Sequence, residues 1–267
     1  MKTLDIGGHA MAYAEQGAGD PVVFVHGTLQ DQRYWAPQMA AFSAQYRAIA
    51  VSLRHYWPEQ WDGVGDDFTI AQHVADVAAF ARALGAGPIR LVGHSRGGHI
   101  AFRVAQHHPD LLRSLVLAEP GGELDASFGS VARPGPQAAV AVAAALIRTG
   151  AIEEALRVFT AYTGGEGAWE KRPERARQVS RDNARTLLGQ INEQRAPFVR
   201  AEAEAIRAPT LLVGGANSPP QFGAILDGME RHITGAARVT IPNAAHGMSA
   251  DNPVSFNNAV LEFLKAN

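Results

Sequence analysis

The chain has 267 residues, a formal net charge of −2 and no cysteine. This charge balance creates no field that would gather phosphates or anionic lipid, so we expect no nucleic acid and no membrane surface as a partner. The lack of cysteine excludes disulfides, a thiolate nucleophile and a Cys-based metal site.

The start of the chain, MKTLDIGG, lacks the basic-then-apolar profile of a signal peptide, which predicts a cytoplasmic protein. The expected partner is a small-molecule substrate, and the sequence leaves a homodimer open. No pattern in the chain calls for a cofactor or a metal ion.

Short β-branched runs alternate along the chain with longer helical patterns, which is typical of strands joined by crossover helices in a mainly parallel sheet. Eight strands are predicted: Thr3–Ile6, Ala10–Gln16, Val22–Val25, Ala48–Ser52, Ile89–Gly93, Ser114–Ala118, Thr210–Val213 and Arg238–Ile241. The helices predicted between and after them are Trp35–Ala44, Ile70–Leu84, Arg96–His107, Gln221–His232 and Pro253–Lys265. The fold class is therefore α/β, with flanking helices on an eight-stranded sheet.

A long segment between the sixth and seventh strands breaks this alternation. It contains no convincing strand, and four stretches have helical spacing or composition: Gln137–Arg148, Ile152–Ala161, Arg175–Leu188 and Phe198–Ile206. Ligands bind at the C-terminal edge of a parallel sheet, so an insertion at that edge would cover the site. We predict a core domain of residues 1–121 and 206–267 and a helical cap of residues 122–205; the alternative is a plain extension of the core.

The motif with the most chemical content is Gly93-His94-Ser95-Arg96-Gly97, between a predicted strand and a predicted helix. Glycines two residues on either side of a serine allow a sharp turn, from which the hydroxyl projects at the sheet edge. Such a pentapeptide also arises by chance in glycine-rich loops, but its position between strand and helix argues against coincidence. Ser95 is therefore the predicted nucleophile.

A serine hydroxyl needs a base to remove its proton, and that base is usually a histidine far along the chain. His246 follows the last strand and precedes the last helix, at the same sheet edge as Ser95, and is the predicted base. His107 and His108 end a helix, where a cation is favoured by the dipole. His94 and His99 are too near Ser95 in sequence to fold back onto its hydroxyl.

The third strand runs into His26-Gly27-Thr28, a tight turn placed where backbone N–H groups could stabilise an oxyanion. We predict that the N–H groups of Thr28 and Arg96 form the oxyanion hole, each contributing roughly 3 kcal/mol when well aimed. His26 itself is expected to be structural. The alternative is an ordinary strand-ending turn with the donor one position away.

Together, the elbow at Ser95, the His-Gly turn, the helical insertion and the late His-Gly loop resemble the α/β-hydrolase superfamily across essentially the whole chain. The motifs are specific to the superfamily, but esterases, lactonases, carbon–carbon bond hydrolases and cofactor-free haloperoxidases share them. The resemblance thus implies the fold and the catalytic apparatus without fixing the reaction.

The chain departs from the family pattern at the acidic residue of the triad. Many members carry an Asp in the turn after the seventh strand, where this chain has Gly214-Gly215-Ala216-Asn217 without a carboxylate. Glu119 ends the sixth strand instead, at a position that resembles the acid site of some haloalkane dehalogenases and zearalenone-type lactonases. We predict Glu119 as the acid. The alternative is that Glu119 caps the insertion and another carboxylate orients the histidine, namely Glu123, Asp125 or Asp251.

Bulky residues after the third and fourth strands are candidates for the pocket wall. Tyr34 and Trp35 follow the oxyanion turn, and Arg54 and Trp57 replace a glycine-rich loop that many relatives have. Aromatic residues in an amphipathic helix are also common core residues, so both interpretations stay open for them.

The predicted reaction is acyl transfer to water, in which Ser95 attacks a carbonyl, His246 takes the proton and Glu119 holds the imidazole. The expected substrate is a small carboxylic ester or lactone. One alternative is a carbon–carbon bond hydrolase of ring-fission products, in which Arg54 or Arg96 binds a carboxylate. The other is a non-catalytic ligand-binding protein that retains the hydrolase fold.

Overall fold

The computed structural model of the chain describes residues 1–129 and 137–267. An eight-stranded sheet has the spatial order β1-β2-β4-β3-β5-β6-β7-β8. The strands are β1 Lys2–Asp5, β2 Ala10–Gln16, β3 Pro21–Val25, β4 Arg47–Val51, β5 Ile89–His94, β6 Leu112–Ala118, β7 Thr210–Gly215 and β8 Ala237–Ile241. β2 is antiparallel to both of its neighbours, whereas β4, β3, β5, β6, β7 and β8 pair in parallel.

Two layers of helices cover the sheet. The core helices are α1 Ala36–Phe42, α2 Ile70–Ala83, α3 Arg96–His107, α10 Pro220–His232, α11 Met248–Asp251 and α12 Pro253–Ala266. Val23 and Val25 of β3 pack on the side of α2, α3 and α10, while Val22 and Phe24 pack on the side of α1 and α12. This two-residue alternation buries both faces of the strand, as a central parallel strand requires.

The predicted α/β fold with its eight strands is confirmed, and the strand boundaries differ from the prediction by two residues at most. The first predicted helix is divided, because Asp31 caps a 3-10 turn at Gln32–Trp35 by accepting a hydrogen bond from the Arg33 N–H. Pro37 then lies in the first turn of α1, where its missing N–H has no helical partner in any case.

Over its described residues, the insertion between β6 and β7 is helical, as predicted, apart from one bridge between Leu124 and Phe198. Its described helices are α4 Gln137–Arg148, α5 Ile152–Gly164, α6 Ala168–Lys171, α7 Glu174–Asp182, α8 Thr186–Gln190 and α9 Arg200–Glu204. Residues 130–136 of the predicted cap lie outside the described residues.

The helix predicted over Arg175–Leu188 is interrupted at Asn183. The buried Asn183 amide donates to the Val179 carbonyl at 2.8 Å and to Asp31 at 2.7 Å, and its oxygen accepts from the Trp57 N–H at 2.7 Å. A side chain that bonds backbone and core groups in this way competes with continuation of the helix. The hydrogen bonds of Asn183 to Asp31 and Trp57 therefore connect the insertion to the loops after β3 and β4.

Helices α4, α5, α6 and α8 share an apolar cluster that packs over Leu29, in the turn after β3. The two ends of the insertion pack differently, since Leu124, Phe128, Phe198 and Ala203 join the core cluster that lies on α3. The insertion thus covers the carboxyl edge of the sheet near the turn after β3, while the domain boundaries at 122 and 205 stay a prediction.

Candidate active site

Ser95 lies between β5 and α3 with a φ of 53°, in the left-handed region that a side chain rarely adopts. A Cβ on Gly93 would lie 2.4 Å from the Gly97 carbonyl oxygen, and one on Gly97 would lie 2.3 Å from the Val25 carbonyl oxygen. Both positions therefore require glycine. The Ser95 N–H donates to the Ala118 carbonyl at 3.0 Å, which fixes this strained turn against β6.

His246 lies in the loop after β8, with its ring buried beside the elbow. The ring stacks on Phe222 at 3.8 Å between centroids, and its backbone carbonyl is 2.7 Å from Nε2 of His94. Burial lowers the pKa of His94 well below its usual value, so a neutral His94 donates this hydrogen bond. The loop that carries His246 is thereby attached to the residue preceding Ser95.

Glu119 holds the imidazole of His246 from the opposite side. Nδ1 of His246 donates to Glu119 Oε2 at 2.7 Å, while Glu119 Oε1 accepts the Gly215 N–H at 2.8 Å. The Glu119 side chain is 1% exposed, and its backbone has a φ of 42°. With the proton on Nδ1, Nε2 keeps its lone pair, and that buried atom has no hydrogen-bond partner among the described residues.

The turn after β7, where family members often carry the acid, has no room for a side chain at Gly215. A Cβ there would lie 2.4 Å from the Ala245 carbonyl oxygen and 2.7 Å from that of Ala244. The turn instead contributes the backbone N–H that binds Glu119. Gly215 itself therefore cannot be replaced by an acidic residue without moving the histidine loop.

Different contacts are made by two of the alternative acids, Asp125 and Asp251, and by Asp227, the first carboxylate after β7. Asp227 pairs with Arg238 on the surface, Asp251 accepts the Ala245 N–H at 3.0 Å, and Asp125 caps a short turn by binding the Ser127 N–H at 3.0 Å. It is Glu119 that bonds the His246 ring.

The turn after β3 places Thr28 next to the elbow. Leu29 has a φ of 61°, and the Gln30 side chain accepts the Gly27 N–H at 3.0 Å, so the turn is held from within. A Cβ on Gly27 would lie 3.0 Å from the Ser95 Cβ, which shows how closely this turn approaches the serine. Among the described residues, no hydrogen bond engages the N–H of Thr28 or of Arg96, the two predicted oxyanion donors.

The His26 side chain supports this turn through two hydrogen bonds to the backbone. Its Nδ1 donates to the Gly27 carbonyl at 2.9 Å and its Nε2 accepts the Leu53 N–H at 3.1 Å. Burial lowers the pKa of His26 to about 4, so the ring is neutral near pH 7. These contacts give His26 the structural role expected from the sequence.

Two of the four predicted pocket residues lie near the His94 and His246 rings. Tyr34 stacks on His94 at 5.2 Å and its hydroxyl accepts a hydrogen bond from Ser249 at 2.6 Å. Trp35 is fully buried against Phe24, so it is a core residue.

The structure does not place the other two predicted pocket residues, Arg54 and Trp57, near the His94 and His246 rings. Arg54 forms a two-pronged ion pair with Asp76 of α2, at 2.9 and 2.8 Å, which occupies its guanidinium. The Trp57 ring lies under the guanidinium of Arg33 at 3.9 Å, next to the insertion. Neither position was predictable from the local sequence, because the partners of both residues come from distant segments.

Comparison with known sequences agrees with this geometry. Residues 22–259 match the sequence model of the alpha/beta hydrolase family. The chain belongs to that family.

Individual members of the alpha/beta hydrolase family show how far the similarity extends. A Mycobacterium tuberculosis protein named "Putative non-heme bromoperoxidase BpoC" is 38% identical over 122 residues, covering 43% of this chain and 44% of that relative. The match thus spans less than half the length of the relative.

Solved structures of alpha/beta hydrolases match over nearly the full chain. An enol-lactonase from Burkholderia xenovorans LB400 has a TM-score of 0.78 at 21% identity, covering 97% of this chain and 98% of that one. A malate-bound thermophilic esterase from Thermogutta terrifontis has a TM-score of 0.76 at 26% identity, covering 99% and 97%.

This hydrolase also has a group of polar residues that sequence reasoning missed. A cavity of about 240 Å³ is lined by residues of α4, by Gln190 at the end of α8, and by Glu193 and Arg195 in the segment after it. Gln190 accepts a hydrogen bond from the Thr28 hydroxyl at 3.2 Å, which connects this cavity to the oxyanion turn. In the sequence, Glu193 and Arg195 are two separate charges between two predicted helices of the insertion, and such residues usually lie on a solvated surface.

Within the described residues, no group of three or more His, Asp or Glu side chains is arranged to hold a metal ion. Over the same part of the chain, no helix is long and apolar enough to span a bilayer.

Proposed function

We propose that this alpha/beta hydrolase is a serine hydrolase that cleaves a small carboxylic ester or lactone through an acyl-enzyme on Ser95. The observation that carries the proposal is the 2.7 Å hydrogen bond from His246 Nδ1 to Glu119. It leaves Nε2 of His246 buried beside the serine elbow, without a hydrogen-bond partner among the residues that the structure describes. A neutral imidazole in this tautomer is the base that a serine nucleophile requires.

In the proposed reaction, Ser95 Oγ attacks the carbonyl carbon of the substrate while His246 Nε2 takes the hydroxyl proton. The carbonyl oxygen becomes an oxyanion that accepts hydrogen bonds from the N–H groups of Thr28 and Arg96. The carbon–oxygen bond to the alcohol then breaks, and the alcohol leaves with the proton from Nε2. Water, deprotonated by the same nitrogen, then attacks the acyl carbon. The bond from that carbon to Ser95 Oγ breaks, Nε2 returns the proton to Oγ, and the acid leaves.

Glu119 has two tasks in this scheme. It fixes the Nδ1–H tautomer, and its charge stabilises the imidazolium that forms when Nε2 is protonated. The Gly215 N–H holds the second carboxylate oxygen, so the carboxylate is oriented before the substrate arrives.

The identity of one structural neighbour supports an ester substrate. The structural neighbours include an esterase that is 26% identical. A lactone is an internal ester, so the same attack opens its ring.

Labelling with a fluorophosphonate probe tests this proposal. Wild type should form a covalent adduct, and Ser95→Ala should not, because the probe reacts only with an activated serine hydroxyl. Ser43→Ala is the matched control; its exposed hydroxyl bonds the Ala40 carbonyl at the end of α1, and labelling should persist. An adduct that survives Ser95→Ala would contradict the assignment of the nucleophile.

A side-by-side assay of methyl esters, lactones and ring-fission dienones tests the reaction class. Ester or lactone hydrolysis that disappears in Ser95→Ala is the expected result. Turnover of the dienones alone would replace the proposal with carbon–carbon bond hydrolysis, and no turnover or labelling would indicate a ligand-binding protein.

A further inference from the structure

A buried cluster of charged residues lies beside the candidate active site. Arg96 of α3 and Arg195 of the insertion both pair with Glu193, the second at 3.0 Å. The side chains of Arg96, Glu193 and Arg195 are 1%, 2% and 9% exposed. Arg96 also stacks on the Phe68 ring at 4.9 Å, which fixes its guanidinium in place.

The charges of this cluster do not balance. Two guanidinium groups share one carboxylate, and Nε of Arg195 together with Nε and Nη1 of Arg96 are buried without a hydrogen-bond partner among the described residues. Residues 130–136 contain no Asp or Glu, so that segment cannot supply the missing negative charge. A buried cation without a counter-ion is costly, and this cost falls when an anion binds next to it.

Arg195 is the member of the cluster that can reach a ligand. It lines the cavity, and its Nη1 makes no hydrogen bond to any described residue. Burial lowers the pKa of Arg195, as expected for a guanidinium held in a poorly solvated place, although arginine stays protonated in proteins. Gln190 lines the same cavity, and its buried Nε2 also lacks a hydrogen-bond partner within the described residues.

The guanidinium of Arg195 lies close to the predicted oxyanion hole. The position that a Cβ on Gly121 would occupy is 3.5 Å from Arg195 Nη1, 3.5 Å from the Arg96 amide nitrogen and 3.4 Å from the Ser95 carbonyl carbon. Gly121 has no side chain, so the space between these three groups stays open. A substrate whose carbonyl is at Ser95 would therefore have Arg195 within a few bonds of its reacting carbon.

We propose that Arg195 and the Gln190 amide form a carboxylate-binding subsite, with Arg96 adding positive charge behind it. The substrate class is then an ester or lactone that carries a free carboxylate a few atoms from the scissile carbonyl. One carboxylate oxygen accepts from Arg195 Nη1 and the other from Gln190 Nε2. This inference rests on the proposed hydrolysis at Ser95 and adds the identity of the group that the substrate presents.

Two methyl esters that differ only in charge test the subsite. Monomethyl glutarate carries the carboxylate, and methyl glutaramate replaces it with an uncharged amide of the same shape; the succinate pair covers the shorter spacing. The quantity measured is the ratio of kcat/KM for the acid over the amide. In wild type we expect this ratio to be about tenfold or more, since hydrogen bonds to charged groups are about twice as strong as neutral ones.

Substitutions at Arg195 should change this ratio in a graded way. Arg195→Lys keeps the charge but loses the planar donor pair, so its ratio should be intermediate, and Arg195→Met should lower the ratio about tenfold or more. Arg185→Met is the matched control, since Arg185 is an exposed arginine of the same insertion, and its ratio should equal that of wild type. A damaged fold would lower kcat/KM for both esters and would not produce this graded change in their ratio. Equal ratios in wild type and in all variants would overturn the proposal.

Binding to Ser95→Ala separates the subsite from the chemistry. By calorimetry, monomethyl glutarate should bind this variant about tenfold more tightly than methyl glutaramate, and adding Arg195→Met should remove the difference. If monomethyl glutarate binds in this way while wild type hydrolyses no ester and resists fluorophosphonate, the proposed hydrolysis fails and the subsite stands. If the esters are hydrolysed through Ser95 with no preference for charge, the hydrolysis stands and the subsite fails.

Discussion

At the scale of single residues, Glu119 is the position at which this site differs from the common family pattern, and a substitution there tests its role. Glu119→Gln keeps an oxygen for the Gly215 N–H but removes the charge and permits the wrong tautomer of His246. We expect kcat for a methyl ester to fall by about 10⁴-fold, the size of effect seen when an amide replaces the acid of such a triad. Steady-state kinetics of the purified variant measure this loss.

The control for that variant is Asp227→Asn, because Asp227 pairs with Arg238 on the surface and does not contact His246. Its activity should match that of wild type. Activity near wild type in Glu119→Gln, together with a loss in Asp251→Asn, would show that another carboxylate is the acid.

At the scale of elements, Gly215 marks the close approach of the turn after β7 to the loop that carries His246. Gly215→Ala places a methyl group 2.4 Å from the Ala245 carbonyl oxygen, one residue before His246. We expect the loop to move, with a stability loss of about 1–3 kcal/mol and a fall in kcat of at least about tenfold. Urea unfolding and ester kinetics measure the two effects.

A second glycine provides the matched control for that change. Gly223 lies inside α10, and a Cβ there would have no neighbour within 4 Å. Gly223→Ala should therefore stabilise the protein by about 0.5–1 kcal/mol through helix propensity, with activity unchanged. Equal behaviour of the two alanine variants would mean that Gly215 has no special role in the turn.

The same scale shows what the sequence could predict. Strands and core helices were predictable because apolar periodicity follows burial on the two faces of the sheet. The position of Ser95, Glu119 and His246 at one sheet edge was predictable because each follows a strand, while their catalytic roles stay a prediction. The interruption at Asn183 was not predictable, since its partners Asp31 and Trp57 lie more than a hundred residues away. Arg195 was missed for a similar reason, because an irregular insertion segment acquires its burial only from tertiary packing.

At the scale of the whole molecule, four buried histidines make stability depend on pH. Burial lowers the pKa of His26 to about 4 from 6.5, and it lowers the pKa values of His73, His94 and His99 in the same direction. At a pH between the folded and the unfolded pKa of such a histidine, the unfolded chain binds a proton that the folded chain does not. Stability therefore falls as the pH drops from 6.5 toward 4. From pH 7 to pH 5, His26 alone should remove about 2 kcal/mol of unfolding free energy.

Urea unfolding at pH 7 and pH 5 tests this dependence, and His26→Gln isolates one contribution. The variant should be less stable than wild type at pH 7, because His26 bonds both the Gly27 carbonyl and the Leu53 N–H, but its further loss on going to pH 5 should be smaller by about 2 kcal/mol. His107→Gln, at an exposed position, should show the same loss as wild type. An equal loss in His26→Gln and wild type would mean that His26 is not held neutral by burial. A smaller loss in His26→Gln would link the acid sensitivity of the fold to the residue that supports the turn after β3. Activity and folded structure should then be lost together as the pH falls.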